Sequence, residues 1–490
     1  MSEQPEIEEA EGMEPVSIAT RWGTIGHLGA QGVRLVAFFV LLSMMGRDEF
    51  GVFEAALFVT GLAEMIRLAG LPEFLIQARE LPARLLASVF WLNLIVAFAM
   101  SGVLWLSAGP IAVALNEPRA ASLISWLGLA FPVLALTQVH EALLRRQLRF
   151  GALAAAQIAG PVAYMVAAVP LAAYGYGPTA FIWGTLADVG VTTFVLWTVC
   201  EFRPKGGFRL GDARSAYGFS LALTAADIVH WVTSMSDRAI VLLFFGTKAL
   251  GVYGTARRLL LQLAKPLTLI YAKVGYPALV ACANDAEALR SRYLRALGGV
   301  ALLTFPGMAV LAVLAGPFVA LLNNAEWDGT VPLIRVFAPV TAVLVVASTV
   351  GAIYKVRART GLLLLWNLGS GTLLLGSYLF GAKWGPTGIA VTSTAVVLLL
   401  LWPAFAIPCG LIGLRAGQAL RVLVTPLLIG VITGAAALVA AASCAAFEAG
   451  SKTELVAGLV VAALAFPLLA FKLRPTGLED LIAVVARRRT

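Results

Sequence analysis

Arg258, Gln262 and Lys265 recur at i, i+4 and i+7, a spacing that puts a guanidinium, an amide and an ammonium on one helical face. A forked donor beside a point charge suits an anion, and phosphate or pyrophosphate best of all. Arg257 adjoins this stripe, Lys273 lies two turns beyond it, and Arg34 stands far upstream with Gln31 one turn away. The acids near such groups are few: Glu64 three residues before Arg67, Asp227 three before His230, and Asp237 beside Arg238. Glu64 and Arg67 have the spacing of an ion pair within one helix. Asp227 and His230 are candidates for proton or sodium binding, with a hydrogen-bonded interior histidine as the alternative. Adjacent Asp237 and Arg238 cannot face each other, so at least one of them reaches another helix or a ligand. No paired carboxylates and no His/Asp constellation offer acid/base catalysis, so no catalytic residue is assigned. Cys200, Cys282, Cys409 and Cys444 are far apart and lack metal-ligand spacing, and no GxxxxGK[ST] loop is present, so neither a metal nor a cofactor is implied.

These ionisable groups sit in a chain of 490 residues that is 60% hydrophobic and only 13% charged, far more apolar than a soluble core requires. An integral membrane protein follows. A helix needs about 20 mostly apolar residues to cross the hydrocarbon layer. The stretches 85–108, 120–140, 296–325, 336–354, 360–382, 384–409, 422–447 and 455–471 each supply one span. The run 152–187 breaks at AYGYGP and supplies two, as do 22–78 and 215–281, which gives fourteen. With a cytoplasmic N-terminus, the inner segments hold 23 Lys and Arg and the outer loops hold 5, so both termini are expected on the cytoplasmic side. The net charge of +9 thus describes membrane topology and gives no reason to expect nucleic-acid binding. Residues 1–20 read as a disordered acidic cytoplasmic tail, and the basic tail 473–490 as an anchor to anionic lipid.

The chain also repeats itself. GRDEFGVFEAA at 46–56 returns as GTKALGVYGTA at 246–256, and GPT at 177–179 returns at 385–387, each GPT following an aromatic. The glycines of the first phrase suit the turns between spans 1 and 2 and between 7 and 8, and its aromatic suits the membrane interface. An even number of spans per repeat makes the halves parallel, related by an axis along the membrane normal. The expected domains are a six-helix half at 21–200, a cytoplasmic linker at 201–214, a second six-helix half at 215–410, and two additional helices within 411–472. This is an all-α polytopic membrane protein with a central cavity as the expected site.

Charge marks the same helix pair in both halves. Spans 1, 2, 7 and 8 hold 7 bases (Arg34, Arg67, Arg238, Arg257, Arg258, Lys265, Lys273) against 3 acids (Glu64, Asp227, Asp237). Each buried charge costs about 2.5–3.5 kcal/mol on insertion scales, so such groups pair or face water. The basic excess predicts an anionic ligand, with Arg34, Arg257, Arg258 and Lys265 assigned to its head group, and Glu64, Arg67, Asp227, His230, Asp237 and Arg238 to ion coupling or structural pairing. Asp188 and Arg335 stand alone and read as structural or interfacial.

The segments 46–77, LLRRQLRF, SDRAIVLLFFGTKALGVYGTARRL and YPALVACANDAEALRSRYLRAL, in this order, resemble the multidrug, oligosaccharidyl-lipid and polysaccharide exporter superfamily, in its polysaccharide-transporter, Wzx-like branch. The resemblance implies a rocking flippase of the bacterial inner membrane that carries an undecaprenyl-pyrophosphate-linked oligosaccharide outward for O-antigen, capsule or exopolysaccharide synthesis. Its implied partners are membrane lipids, a polysaccharide polymerase and a chain-length regulator. It also implies a cationic cavity lined by spans 1, 2, 7 and 8. A lipid II flippase and a cation-coupled multidrug exporter of the same superfamily are the alternatives; a membrane-embedded polymerase or ligase would call for a large catalytic outer loop.

Overall fold

Inside a bilayer each backbone N–H and C=O must be satisfied without water, which favours the helix for an open chain. The computed structural model describes residues 16–68, 75, 82–205, 210–271, 275–357, 359–447 and 450–479, and these form helices and no strand. The described residues hold 11 helical stretches long and apolar enough to cross a membrane. Two of these are double. Trp231–Pro266 belongs to the helix Leu210–Ile270, whose backbone leaves helical geometry at Gly246 (φ 75°, ψ −175°). Gly361–Leu411 is interrupted at Gly385 (φ 76°, ψ −171°). With Arg47–Leu68, whose charges keep it out of a purely apolar count, the total is the fourteen that the sequence predicts.

Numbered as spans, they are 1 (Val16–Met44), 2 (Arg47–Leu68), 3 (Ala83–Ala114), 4 (Ala120–Arg146), 5 (Phe150–Ala173), 6 (Thr179–Val199), 7 (210–245), 8 (247–270), 9 (Ala286–Val313), 10 (Thr330–Val356), 11 (Thr360–Gly381), 12 (Gly385–Leu411), 13 (Ala416–Ala446) and 14 (Gly450–Leu473). Spans 7 and 8 are the two arms of the helix that bends at Gly246. The chain forms two compact units, Met1–Val232 and Thr233–Thr490. In the first, span 5 packs on spans 1 and 6, and span 4 on spans 2, 3 and 6. In the second, span 9 packs on 10 and 13, span 12 on 10 and 11, and span 14 on 13.

The repeated phrases acquire distinct local roles. Gly177 (φ 54°) and Gly385 (φ 76°) both occupy the left-handed region that favours glycine, and each is followed by a proline whose fixed φ suits a helix start. The first phrase is less symmetric: Gly246 is left-handed, whereas Gly46 is absent from that region. Its aromatics are not interfacial either. Phe53 (4% exposed) and Tyr253 (fully buried) face the protein interior, where Phe53 stacks on Phe181 with ring centroids 4.1 Å apart. Packing needs outweigh the amphipathic preference that the sequence suggests. The rest of GRDEFG ties the turns at one end of spans 1 to 4 together: Glu49 Oε2 accepts from the Gly46 N–H (3.1 Å), and Asp48 accepts from Arg119 Nη1 (2.8 Å). Arg119 also forks onto Glu117 at 2.6 and 2.8 Å. The Glu117 hydrogen bonds first, and the Asp48 bond second, hold its pKa above the ordinary arginine value.

The two C-terminal helices are built in by close backbone approach. A Cβ on Gly430 of span 13 would lie 3.0 Å from the Phe305 carbonyl carbon of span 9, and one on Gly434 would lie 3.2 Å from Ala309 Cβ. Small residues substitute for the hydrophobic drive that lipid cannot supply. Gly430→Leu is expected to destabilise the chain by about 1–3 kcal/mol through overpacking, and to lower its melting temperature in detergent. Gly376→Leu, at an open and exposed position, should not.

Candidate functional site

Span 8 carries the densest positive charge, and its local structure sorts neighbouring cations by face. Arg257 turns inward: its Nε lies 3.1 Å from Asp237 Oδ2, with side chains 15% and 1% exposed. The Tyr253 hydroxyl donates to the same Oδ2 at 3.0 Å, and the Arg238 backbone N–H donates to Oδ1 at 2.8 Å. The Arg257 guanidinium also lies 5.1 Å from the centre of the Phe337 ring, while Tyr253 meets that ring edge-on at 5.2 Å. A buried carboxylate with two hydrogen-bond donors and a cation is committed on both oxygens. Asp237 is thus the fixed point that seats Arg257, Tyr253 and the backbone N–H of Arg238.

One residue on, a rotation of about 100° per residue turns Arg258 to a different side of the helix. Arg258 is half-buried, Gln262 half-buried and Lys265 exposed. Between the two cations, Gln262 Oε1 is buried with no hydrogen-bond partner among the described residues. A side-chain amide oriented this way in an apolar span costs energy unless something completes it. Pro266 follows directly, and the Lys265 carbonyl accepts from Thr268 Oγ1 at 2.9 Å.

In the first unit the candidate residues Arg67 and Arg34 belong to two separate assemblies. Arg67, 2% exposed, forks onto Glu64 at 2.8 and 2.6 Å. Its Nη1 donates to Asn93 Oδ1 (3.1 Å) and Gln138 Oε1 (3.4 Å), and Asn93 Nδ2 in turn donates to the Ala135 carbonyl (3.1 Å). The spacing of Glu64 and Arg67 is therefore that of an intrahelical pair, extended into a network joining spans 2, 3 and 4. The second assembly centres on Arg34, whose side chain is 47% exposed and whose Nη2 lies 3.4 Å from Asp188 Oδ2. Thr192 Oγ1 donates to the other carboxylate oxygen at 3.3 Å. A Cβ on Gly160 would collide with both Asp188 and Thr192, so glycine at 160 makes their positions possible. Sequence reading leaves Asp188 isolated, because its partner lies 154 residues away.

Arg238 donates from Nη1 to Met235 Sδ at 3.0 Å. The side chains of Asp227 and His230, and all of Lys273, lie outside the described residues. Among the described residues no cluster of three or more His, Cys, Asp or Glu could hold a metal ion. The arrangement thus offers committed ion pairs at Arg67 and Arg257, a longer and more exposed pair at Arg34, and a mixed cation and amide face at Arg258, Gln262 and Lys265.

The profile of a family described as polysaccharide biosynthesis protein matches residues 40–332. The chain belongs to that family. The matched region contains every candidate site residue except Arg34. Over 365 residues the chain is 24% identical to the lipopolysaccharide biosynthesis protein WzxC of Escherichia coli (strain K12), covering 74% of each chain. It is 26% identical over 365 residues to the succinoglycan biosynthesis transport protein ExoT of Rhizobium meliloti (strain 1021), covering 74% of this chain and 73% of that one. Among solved structures, the lipid II flippase MurJ in an inward closed conformation is similar with a TM-score of 0.70 at 16% identity, over 95% of this chain and 99% of that one. At that identity the likeness establishes the fold, an all-helical transporter fold, for this polysaccharide biosynthesis protein.

The Arg67 network makes a checkable statement about stability. Arg67→Ala removes one partner of a buried pair and strands Glu64, which is expected to cost about 3–5 kcal/mol. Glu64→Gln keeps an acceptor for the guanidinium and should cost less. Thermal denaturation of the purified variants in detergent checks the order, and a melting temperature for Arg67→Ala equal to wild type would remove the structural role.

Proposed function

We propose that this protein is a flippase that carries an undecaprenyl-pyrophosphate-linked oligosaccharide repeat unit from the cytoplasmic to the outer leaflet of the bacterial inner membrane, by alternating access. Both termini lie in the cytoplasm on this reading, which the distribution of Lys and Arg supports. The released unit is then available to a polysaccharide polymerase and a chain-length regulator.

The observation that carries this reading is the face formed by Arg258, Gln262 and Lys265. Arg257 is already held by Asp237, so its charge serves chiefly to fix span 8. Arg258 supplies a planar fork and Lys265 a mobile point charge, the two forms of donor that pyrophosphate oxygens accept. The buried Gln262 amide between them gains a partner when a polar head group arrives, and because the oxygen and nitrogen of an amide are assigned from their surroundings, it can present either to the ligand. In the first unit Arg34 is a further candidate for an anionic group, since its contact with Asp188 is long and its side chain half-exposed. The relatives' names, one a lipopolysaccharide biosynthesis protein and one a succinoglycan biosynthesis transport protein, support a glycan cargo. The likeness to a lipid II flippase over 95% of the chain supports a second reading, in which the same head-group chemistry serves a peptidoglycan precursor.

A deletion strain that has lost polysaccharide export tests the reading. Each charge-assisted contact is worth about 1.5–3 kcal/mol, so Arg258→Ala with Lys265→Ala is expected to cut complementation by about tenfold or more at unchanged membrane abundance. Export at the wild-type level would remove the stripe from the mechanism, and loss of viability without loss of polysaccharide in the deletion strain would favour the lipid II reading.

A further inference from the structure

The second unit contains a cavity of about 620 Å³ at one end of spans 9 and 14, lined by Arg295, Phe471, Arg474, Glu479 and the backbone of 475–478. It lies away from the stripe on span 8 and has no part in the function proposed above. Its wall is built by the segment that leaves span 14. Leu478 packs against the cluster of Leu302, Ile429 and Ala470, and Pro475 and Gly477 are buried. Gly298 of span 9 accepts the close approach of the Thr476 carbonyl, which a Cβ would block, and Gly477 (φ 92°) sits against the Arg295 carbonyl and Gly299.

The composition of this wall points to a ligand. Arg474 leaves span 14 at φ 42°, a left-handed turn of the kind that ends helices, and the segment after it packs back onto span 9. Beside the two exposed arginines, Phe471 is 63% exposed, so a cationic rim meets an apolar surface at a span end. That end carries arginines at 290, 292, 295 and 474, the signature of the cytoplasmic boundary, where basic pockets between transmembrane helices take anionic lipid head groups. Among the described residues Glu479 is the one acid in the lining, beside the guanidiniums of Arg295 and Arg474.

We propose that this cavity binds the phosphate head group of an anionic phospholipid from the cytoplasmic leaflet, with Arg295 and Arg474 on the phosphate and Phe471 against the start of the acyl chains. The bound lipid clamps the segment after span 14 onto span 9 and so fixes the C-terminal helix pair.

The full chain reconstituted in nanodiscs of phosphatidylcholine mixed with phosphatidylglycerol, then released and weighed by native mass spectrometry, tests the proposal. Wild type is expected to retain phosphatidylglycerol in preference to phosphatidylcholine. Arg295→Ala with Arg474→Ala is expected to lose most of that preference, at least several-fold in the ratio of lipids retained. Lys355→Ala with Arg359→Ala, which removes two exposed cations outside the cavity, should keep it. Both double variants should elute as the wild type does on gel filtration, and Arg295→Lys with Arg474→Lys should restore part of the preference. Equal retention by both alanine variants would overturn the assignment. So would a wild type that retains added undecaprenyl phosphate but shows no preference for phosphatidylglycerol.

Discussion

An ionised side chain within the hydrocarbon layer must find its counter-charge inside the protein or at a water-filled surface. Nearly everything distinctive about this chain follows from how it meets that demand. Asp237 collects Arg257, Tyr253 and a backbone N–H. Arg67 collects Glu64, Asn93 and Gln138. Each assembly joins spans that lipid alone gives little reason to associate, so buried charge acts as structural glue as well as chemistry. The cost of those groups is offset by pairing, and the face of Arg258, Gln262 and Lys265 differs in setting two cations on either side of a buried amide oxygen that has no hydrogen-bond partner among the described residues.

The same demand divides labour along span 8. Neighbouring arginines at 257 and 258 look equivalent as letters, yet successive side chains on a helix diverge by about 100°. One becomes the partner of a fully buried carboxylate, and the other stays on the face that carries Lys265. The fixed member ties span 8 to span 7, and its neighbour belongs to the face proposed for the head group. Glycine performs the complementary task in the backbone: Gly246 and Gly385 break long apolar helices into separate crossings, and Gly160 clears the space in which Asp188 can reach Arg34.

Much of this architecture was legible in the sequence, because span length and charge-free runs are imposed by the bilayer and act locally along the chain. The GPT echo was legible for a similar reason, since a left-handed glycine before a proline is a local backbone requirement, and Gly177 and Gly385 both meet it. The candidate site was legible only in part. Glu64 with Arg67 could be read from spacing, but Asn93 and Gln138 could not, because nothing in an apolar run says which distant helix its one amide will meet. Asp188 and Arg34 lie 154 positions apart, and only folding shows them to be a pair. The aromatic of the repeated phrase misled for a physical reason: Tyr253 has the amphipathic character of an interfacial residue, but its hydroxyl is required at Asp237.

The central claim is that the cationic face of span 8 recognises the pyrophosphate of a lipid carrier. The most direct test compares binding of undecaprenyl pyrophosphate and of uncharged undecaprenol to the purified chain in detergent. The account predicts a preference of about tenfold or more for the pyrophosphate, equivalent to about 1.4 kcal/mol, that weakens as salt is raised and falls when Arg258 and Lys265 are both alanine. Equal affinity for the two lipids, or a preference untouched by those substitutions, would contradict it.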